Sequence, residues 1–406
     1  MLFTLIKNEI IKLLRRGKTW IVFALFALFI GITIYGQYSQ DKNVRVWQSP
    51  EKQLEMAREN LDYYNKELEN SKGLDASPEY IASLEESIEY ANEQIKTYEK
   101  MIEEGTNEGW REELDEEIKY TQEDIKRFEK YDDEWSTQYV LERKEDLEEL
   151  IYLKDNDIKP LYGWEYDSYN YMKNLMQFLG MAILVAGIAV FMSDIVSGEY
   201  TPATLKFLLI QPVTRGKVLL SKFIAVTMSV LSMILGGELL GFLFVRLTSG
   251  MNTSNYPVEI GAMYEEVINS EGTIVVSKIA GSGHMGTNLE LFIKSMLFQV
   301  LFIITACAVI FMISTLIKSS MITMAVSVIS TVFLTIGSTM ISPLKKIAHL
   351  IFLNFADSIS IFTGNTSIMM QNSNITIRNG IIVMIITLIV SYLIAYFNFN
   401  KKDILI

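Results

Sequence analysis

The sequence is poor in the residues that build soluble catalytic and metal sites. Its one cysteine, Cys307, lies inside an apolar run, so no disulfide scaffold is available. Of its two histidines, His284 sits in the glycine-rich stretch GSGHMG and His349 lies near Lys345 and Lys346. Neither has a Cys, Asp or Glu at metal-ligand spacing, which excludes a zinc site. No DxDxDG calcium loop occurs, which argues against a specific calcium site, and without a nucleophile elbow or HExxH helix a hydrolase is rejected. A GxxxxGK(S/T) phosphate loop is missing too. The nearest approach, Gly216-Lys217-Val218, lacks the leading glycine and the hydroxyl, so ATP has no cradle in this chain.

Positive charge is scarce in one block and in slight excess elsewhere. Positions 51–159 hold about 34 acidic and 15 basic side chains, roughly −19, within a chain of formal charge −12. The remainder therefore carries about +7. An acidic block of that size repels phosphate, which argues against a nucleic-acid partner.

What the chain has in abundance is long apolar runs. A helix needs about 20 apolar residues to cross roughly 30 Å of hydrocarbon. Six runs suffice: 19–38, 172–192, 223–245, 295–317, 320–342 and 380–397. The first is too long for a signal peptide and no small-x-small site follows it, so it reads as a signal anchor. Lysine and arginine favour N- and C-termini inside, with Lys7, Lys12, Arg15, Arg16, Lys18, Lys206, Arg215, Lys217, Lys222, Lys318, Lys401 and Lys402 on the inner side. Lys345 and Lys346, in the outer or re-entrant stretch 343–379, run against that bias. The expected fold is all-α and polytopic, in a plasma membrane, with an outer loop at 246–294 and an inner tail at 398–406.

Two elements flank the first span. Residues 1–18 read as an amphipathic interfacial helix, with Thr4, Asn8, Lys12, Arg15 and Arg16 on one face and Phe3, Ile6, Ile10, Leu13 and Leu14 on the other. Such a helix lies among membrane lipids, its cations near anionic headgroups. Residues 39–171 form an outer acidic helical domain. There Ile81, Leu84, Ile88, Ala91, Ile95, Tyr98 and Ile102 step 3-4-3-4, the signature of a narrow coiled-coil seam. Leu54, Ala57, Leu61, Tyr64 and Leu68 carry an earlier copy, and Leu114, Ile118, Thr121, Ile125 and Phe128 a later one. Breaks at Ser71–Pro78 and Gly105–Gly109 predict antiparallel hairpins of helices 51–72, 79–104, 110–133 and 135–155.

The inner segment 193–222 reads SDIVSGEYTPATLKFLLIQPVTRGKVLLSK. Thr201 and Pro202 open a short helix whose side of Leu205, Phe207, Leu208, Leu209 and Ile210 is too apolar for a bare connector. Here the chain resembles the permease subunits of type-2 ABC transporters, which carry Glu–xxx–Thr–Leu–xx–Leu-Leu–xx–Pro–xx–Arg–xxxxxx–Lys after span two. The matching residues are Glu199, Thr204, Leu205, Leu208, Leu209, Pro212, Arg215 and Lys222, with the threonine displaced by one position and Ala203 before it in place of glycine. The resemblance also takes in the amphipathic start, six spans and N-in topology, and leaves the acidic block as an insertion. It implies a bacterial, ATP-driven exporter that moves an antimicrobial peptide, drug, lipid-like molecule or ion. It further implies a second permease copy or related permease, and a separate dimeric ATPase that docks on this segment and carries the ATP and Mg.

Within the spans, Glu238 in GGELLG stands out, because a carboxylate at mid-depth is costly and faces a cavity or a partner. Asn174, Gln177 and Gln299 are milder candidates for a transport path. Two other readings compete. A receptor or scaffold would use the coiled coil to bind an outer peptide or protein, which leaves the inner apolar segment unexplained. An ion-coupled secondary transporter would use Glu238, yet paired broken helices and inverted repeats are not evident.

Overall fold

The computed structural model describes residues 2–73, 77–104, 110–131, 134–199, 213–268, 272 and 274–401. The fold is all-α apart from two short β ladders, and six helices are long and apolar enough to cross a membrane: Gly17–Gln48, Ser168–Glu199, Arg215–Ser249, Asn288–Leu316, Ser320–Met340 and Ile377–Lys401. Most reach beyond the apolar runs because no helix breaker stands at the run ends. The chain divides into two compact units, residues 35–131 with 142–166, and residues 1–34, 132–141 and 167–406.

In the smaller unit, α3 (Pro50–Gly73) and α4 (Pro78–Glu104) pack on one another. Ala57, Leu84 and Ala91 are buried while Tyr63 and Tyr90 stay exposed, so the heptad seam is the covered face. Arg58 reaches Glu99 (2.7 Å) and Lys72 reaches Glu85 (3.2 Å), which sets the two helices antiparallel. Next, α5 (Trp110–Phe128) buries Leu114, Ile118, Thr121 and Ile125. It ends at Phe128, short of the expected 133. Lys126 and Arg127 complement the negative helix end there, where the following Asp132 and Asp133 would oppose it. Against α6 (Glu134–Asp155), Lys154 meets Asp115 (2.7 Å) and Lys144 meets Glu129 (2.8 Å), again antiparallel.

The return segment of this unit is tied to the end of α2 (Gly17–Gln48). Gln37 donates to the Glu165 carbonyl (3.0 Å), and the Tyr166 N–H donates to Asp41 (3.0 Å). Arg45 bonds Asp41 (2.8 Å), approaches Glu165 (3.4 Å) and lies over the Trp164 ring. Burial pushes the Glu165 carboxyl above its ordinary pKa, against the opposing pull of the Tyr162 N–H and Arg45.

In the larger unit the second span is broken. Asp167 caps α7 (Ser168–Phe178) by accepting from the N–H groups of Tyr169 and Asn170. The helix then passes through a π turn at Leu179–Ile183, where Ala182 takes the left-handed φ of 75°, and resumes as α8 (Leu184–Met192). Gly180 stands at the break because the Asp357 backbone presses on it: a Cβ there would lie 2.9 Å from the Asp357 Cα. The third span, α9 (Arg215–Ser249), packs on α1 (Leu2–Leu14), on α7 and on α10 (Asn288–Leu316). α15 (Ile377–Lys401) runs along α10, and α11 (Ser320–Met340) lies on α8. The first span is the least buried of the six. It leans on α9 where glycines permit, Phe26 against Gly237 and Ile30 against Gly241.

The expected outer loop at 246–294 is not wholly irregular. β1 (Pro257–Ile260) pairs antiparallel with β4 (His284–Thr287), and β2 (Tyr264–Ile268) with β3 (Ile274–Lys278). Strands of four and five residues are too short for alternation to reveal them, although YEEVI and IVVSK have the right composition. Between the fifth and sixth spans the chain forms short turns and helices, α12 (Ser342–Lys346), α13 (Ser358–Phe362) and α14 (Asn365–Met370). They bury Phe355, Ile359, Ile361 and Met370, and α13 packs on α7 and α10.

Candidate functional site

The end of the second span is held by hydroxyls. Ser314 of α10 accepts from the N–H groups of Val196 (3.2 Å) and Ser197 (3.1 Å) and donates to the Ser193 carbonyl (3.1 Å). These bonds take up backbone groups left unpaired where the helix stops. Gly198 fits tightly against Asp194 and Ser320, and the 3-10 turn Ser197–Glu199 then delivers Glu199 into the interior.

Glu199 meets Lys222 of α9 there, Nζ to Oε1 at 2.7 Å, with side-chain exposures of 2% and 1%. Those values put both charges out of reach of water, where only close pairing makes them tolerable. Lys12 of α1 donates to the same Oε1, and the Lys222 ammonium also reaches Glu9 of α1 at 3.0 Å. Two carboxylates thus balance two ammonium groups. Glu199 Oε2 has no hydrogen-bond partner among the described residues. A second group lies beside it in sequence: Asp194 accepts from Lys18 (3.0 Å) and Arg16 (3.4 Å).

This geometry corrects one expectation. Lys12 and Arg16 were expected among lipid headgroups. Instead Lys12 pairs with Glu199 and Arg16 with Asp194: Glu9, Lys12 and Leu13 share one stripe of α1, and Arg16 stands in the turn that follows the helix. Lys12 and Arg16 therefore each meet a carboxylate within the protein.

Of the residues matched to the family pattern, the structure brings Glu199 and Lys222 together. Arg215 begins α9 and donates to the Asn400 carbonyl (3.4 Å). Thr204, Leu205, Leu208, Leu209 and Pro212 lie outside the described residues. The transport-path candidates do not form one site. Glu238 is fully buried and accepts from Gln299 (2.7 Å), joining α9 to α10. Gln177 donates to Ser360 (3.3 Å), and Asn174 is exposed on α7. Glu9 and Ser314 went unnoticed in the sequence. The one available hint was Glu9, an acid on an otherwise cationic helix. No group of three metal-ligating side chains occurs among the described residues.

The arrangement has no catalytic chemistry, since every strong acid and base in it is salt-linked. What it does is mechanical: it fastens α1, the end of the second span and the start of the third into one joint. No curated protein and no solved structure matches the chain. The family model described as ABC-2 family transporter protein matches residues 3–404. The chain belongs to that family, as a multi-pass membrane subunit of an ABC transporter and not its catalytic part.

Proposed function

We propose that the chain is the permease subunit of an ATP-driven exporter, moved by a separate ATPase dimer that docks on segment 199–222. The observation that carries this reading is the buried Glu199–Lys222 pair at the two ends of that segment. A push on a free loop dissipates in the loop. A push on a segment whose ends are locked to each other and to Lys12 and Glu9 moves two spans and α1 together. The apolar side Leu205, Leu208 and Leu209 is the anchor for the ATPase cleft, with Arg215 steering at the rim. ATP and Mg belong to that partner.

In this reading the protein works as a pair, with a second copy or a related permease, in a bacterial plasma membrane. Both termini are inside and the acidic helical unit is outside, open to a peptide or protein ligand. In this reading the buried Glu238–Gln299 pair separates when the bundle opens and offers a carboxyl to the cargo.

The test is a cargo screen in liposomes holding the permease with its copurified ATPase. Peptide antimicrobials, drugs, lipid analogues and ions are offered, with ATP on the ATPase side. Export predicts ATP-dependent movement away from that side, weakened by Glu238→Leu. ATP-independent movement coupled to an ion gradient would replace this reading with a secondary transporter.

A further inference from the structure

Where α1 turns into the first span, an apolar groove of about 410 Å³ opens. Its walls include Leu13 and Leu14 of α1, Trp20 and Phe23 of α2, Phe191 of α8 and Met228 of α9. At roughly 30 Å³ for a group the size of a water, it holds a little over a dozen such groups, enough for one long hydrocarbon chain.

Of the four polar side chains in these walls, Thr19, Trp20, Ser229 and Ser232, the first three are already used. Thr19 Oγ1 donates to the Leu13 carbonyl (2.7 Å), Trp20 Nε1 to the Leu14 carbonyl (2.8 Å) and Ser229 Oγ to the Ala225 carbonyl (2.8 Å). The first two bonds also cap the end of α1. A polar cargo or peptide would find few free donors or acceptors here, while a hydrocarbon chain leaves nothing unpaired.

Charge selects the head of the occupant. The turn between α1 and α2 holds Arg15 and Arg16, Lys18 follows in the first turn of α2, and Leu14 and Thr19 on either side line the groove. Arg16 and Lys18 share the single carboxylate of Asp194. Arg15 is exposed and has no ion pair among the described residues. An arginine beside an apolar slot matches a phosphate attached to an acyl chain, with the guanidinium donating to the phosphate oxygens.

We propose that this groove binds one acyl chain of an anionic phospholipid of the inner leaflet, with its phosphate on Arg15. The bound lipid pins the elbow between α1 and the first span. This inference rests on the inside placement of the N-terminus in the reading above, and not on the docking of an ATPase.

The test uses the full-length protein in phosphatidylcholine vesicles doped with either phosphatidylglycerol or phosphatidylcholine brominated on the acyl chain. Trp20 emission is isolated as the difference between wild type and Trp20→Phe. Brominated phosphatidylglycerol should quench it at roughly one-fifth the mole fraction that brominated phosphatidylcholine requires, the preference one arginine confers. Arg15→Gln should bring the two lipids to parity, and Arg15→Lys should keep a preference. Equal quenching in wild type means bulk lipid contact only and overturns the proposal. A preference that survives Arg15→Gln overturns the role of Arg15. Absence of quenching by either lipid means that another occupant, such as a second copy of the chain, covers the groove.

Discussion

Glu199 and Lys222 are 23 positions apart in the chain, yet their charged ends meet at 2.7 Å in a place shut off from solvent. Such a pair is not a large source of net stability, but halving it is costly, because the survivor stays buried and uncompensated. The loss for a single removal is about 3–5 kcal/mol. Lys222→Met should therefore lower the melting temperature of the detergent-purified protein by several degrees. Glu199→Gln combined with Lys222→Met should recover most of the loss, since Glu9 and Lys12 reach solvent and can be hydrated. The double variant should still fail in ATP-driven transport, because the joint is gone. A single variant as stable as wild type would show that the pair is not closed.

The break in the second span makes two glycines of the same span unequal. A Cβ at Gly180 would strike the Asp357 backbone, while one at Gly187 would meet nothing within 4 Å. Gly180→Ala should destabilise the protein by about 1–3 kcal/mol, the usual cost of overpacking, and Gly187→Ala should be neutral. Thermal unfolding of the two variants side by side checks this. Equal melting temperatures would remove the close approach as the reason for the break.

The spans and the heptad seams were legible because each is a long pattern repeated over several turns: twenty apolar residues, or Ile81 to Ile102 in 3-4 steps. The Glu199–Lys222 pairing was less so. Both residues drew notice through a family pattern, and no spacing said that they touch. Lys12 was read towards lipid, since a cation on an interfacial helix has headgroups as one outlet and a distant carboxylate as another. Glu199 is 187 positions away from it. Nothing local separates Gly180 from Gly187, because the difference lies in a backbone contributed from position 357. The strands at 257–287 are too short for their period to stand above noise.

Glu165 gives a pH test outside the spans. Its folded pKa is raised by burial. A raised carboxyl favours the protonated form in the folded state. Its contribution is thus fully present below the unfolded value and is lost as pH rises through the folded one. At neutral pH and above, the wild type carries the cost of a buried carboxylate. Glu165→Gln should then increase amide-exchange protection of residues 156–166, corrected for intrinsic rates, at pH 8. The advantage should shrink as pH falls towards 5. A Gln variant less protected than wild type at pH 8 would mean that the contact with Arg45 outweighs burial.

The central claim is that an ATPase presses on segment 199–222, and it can be tested by photo-crosslinking in native membranes. A photoreactive amino acid is placed at Leu208, with a second at Tyr90 on the exposed face of α4 as control. Captured chains are identified by mass spectrometry. The account predicts that Leu208 captures a protein carrying a GxxxxGK(S/T) phosphate loop, that Tyr90 does not, and that capture from Leu208 changes when ATP is added. Capture of lipid alone at Leu208, or of the same ATPase at Tyr90, would contradict it.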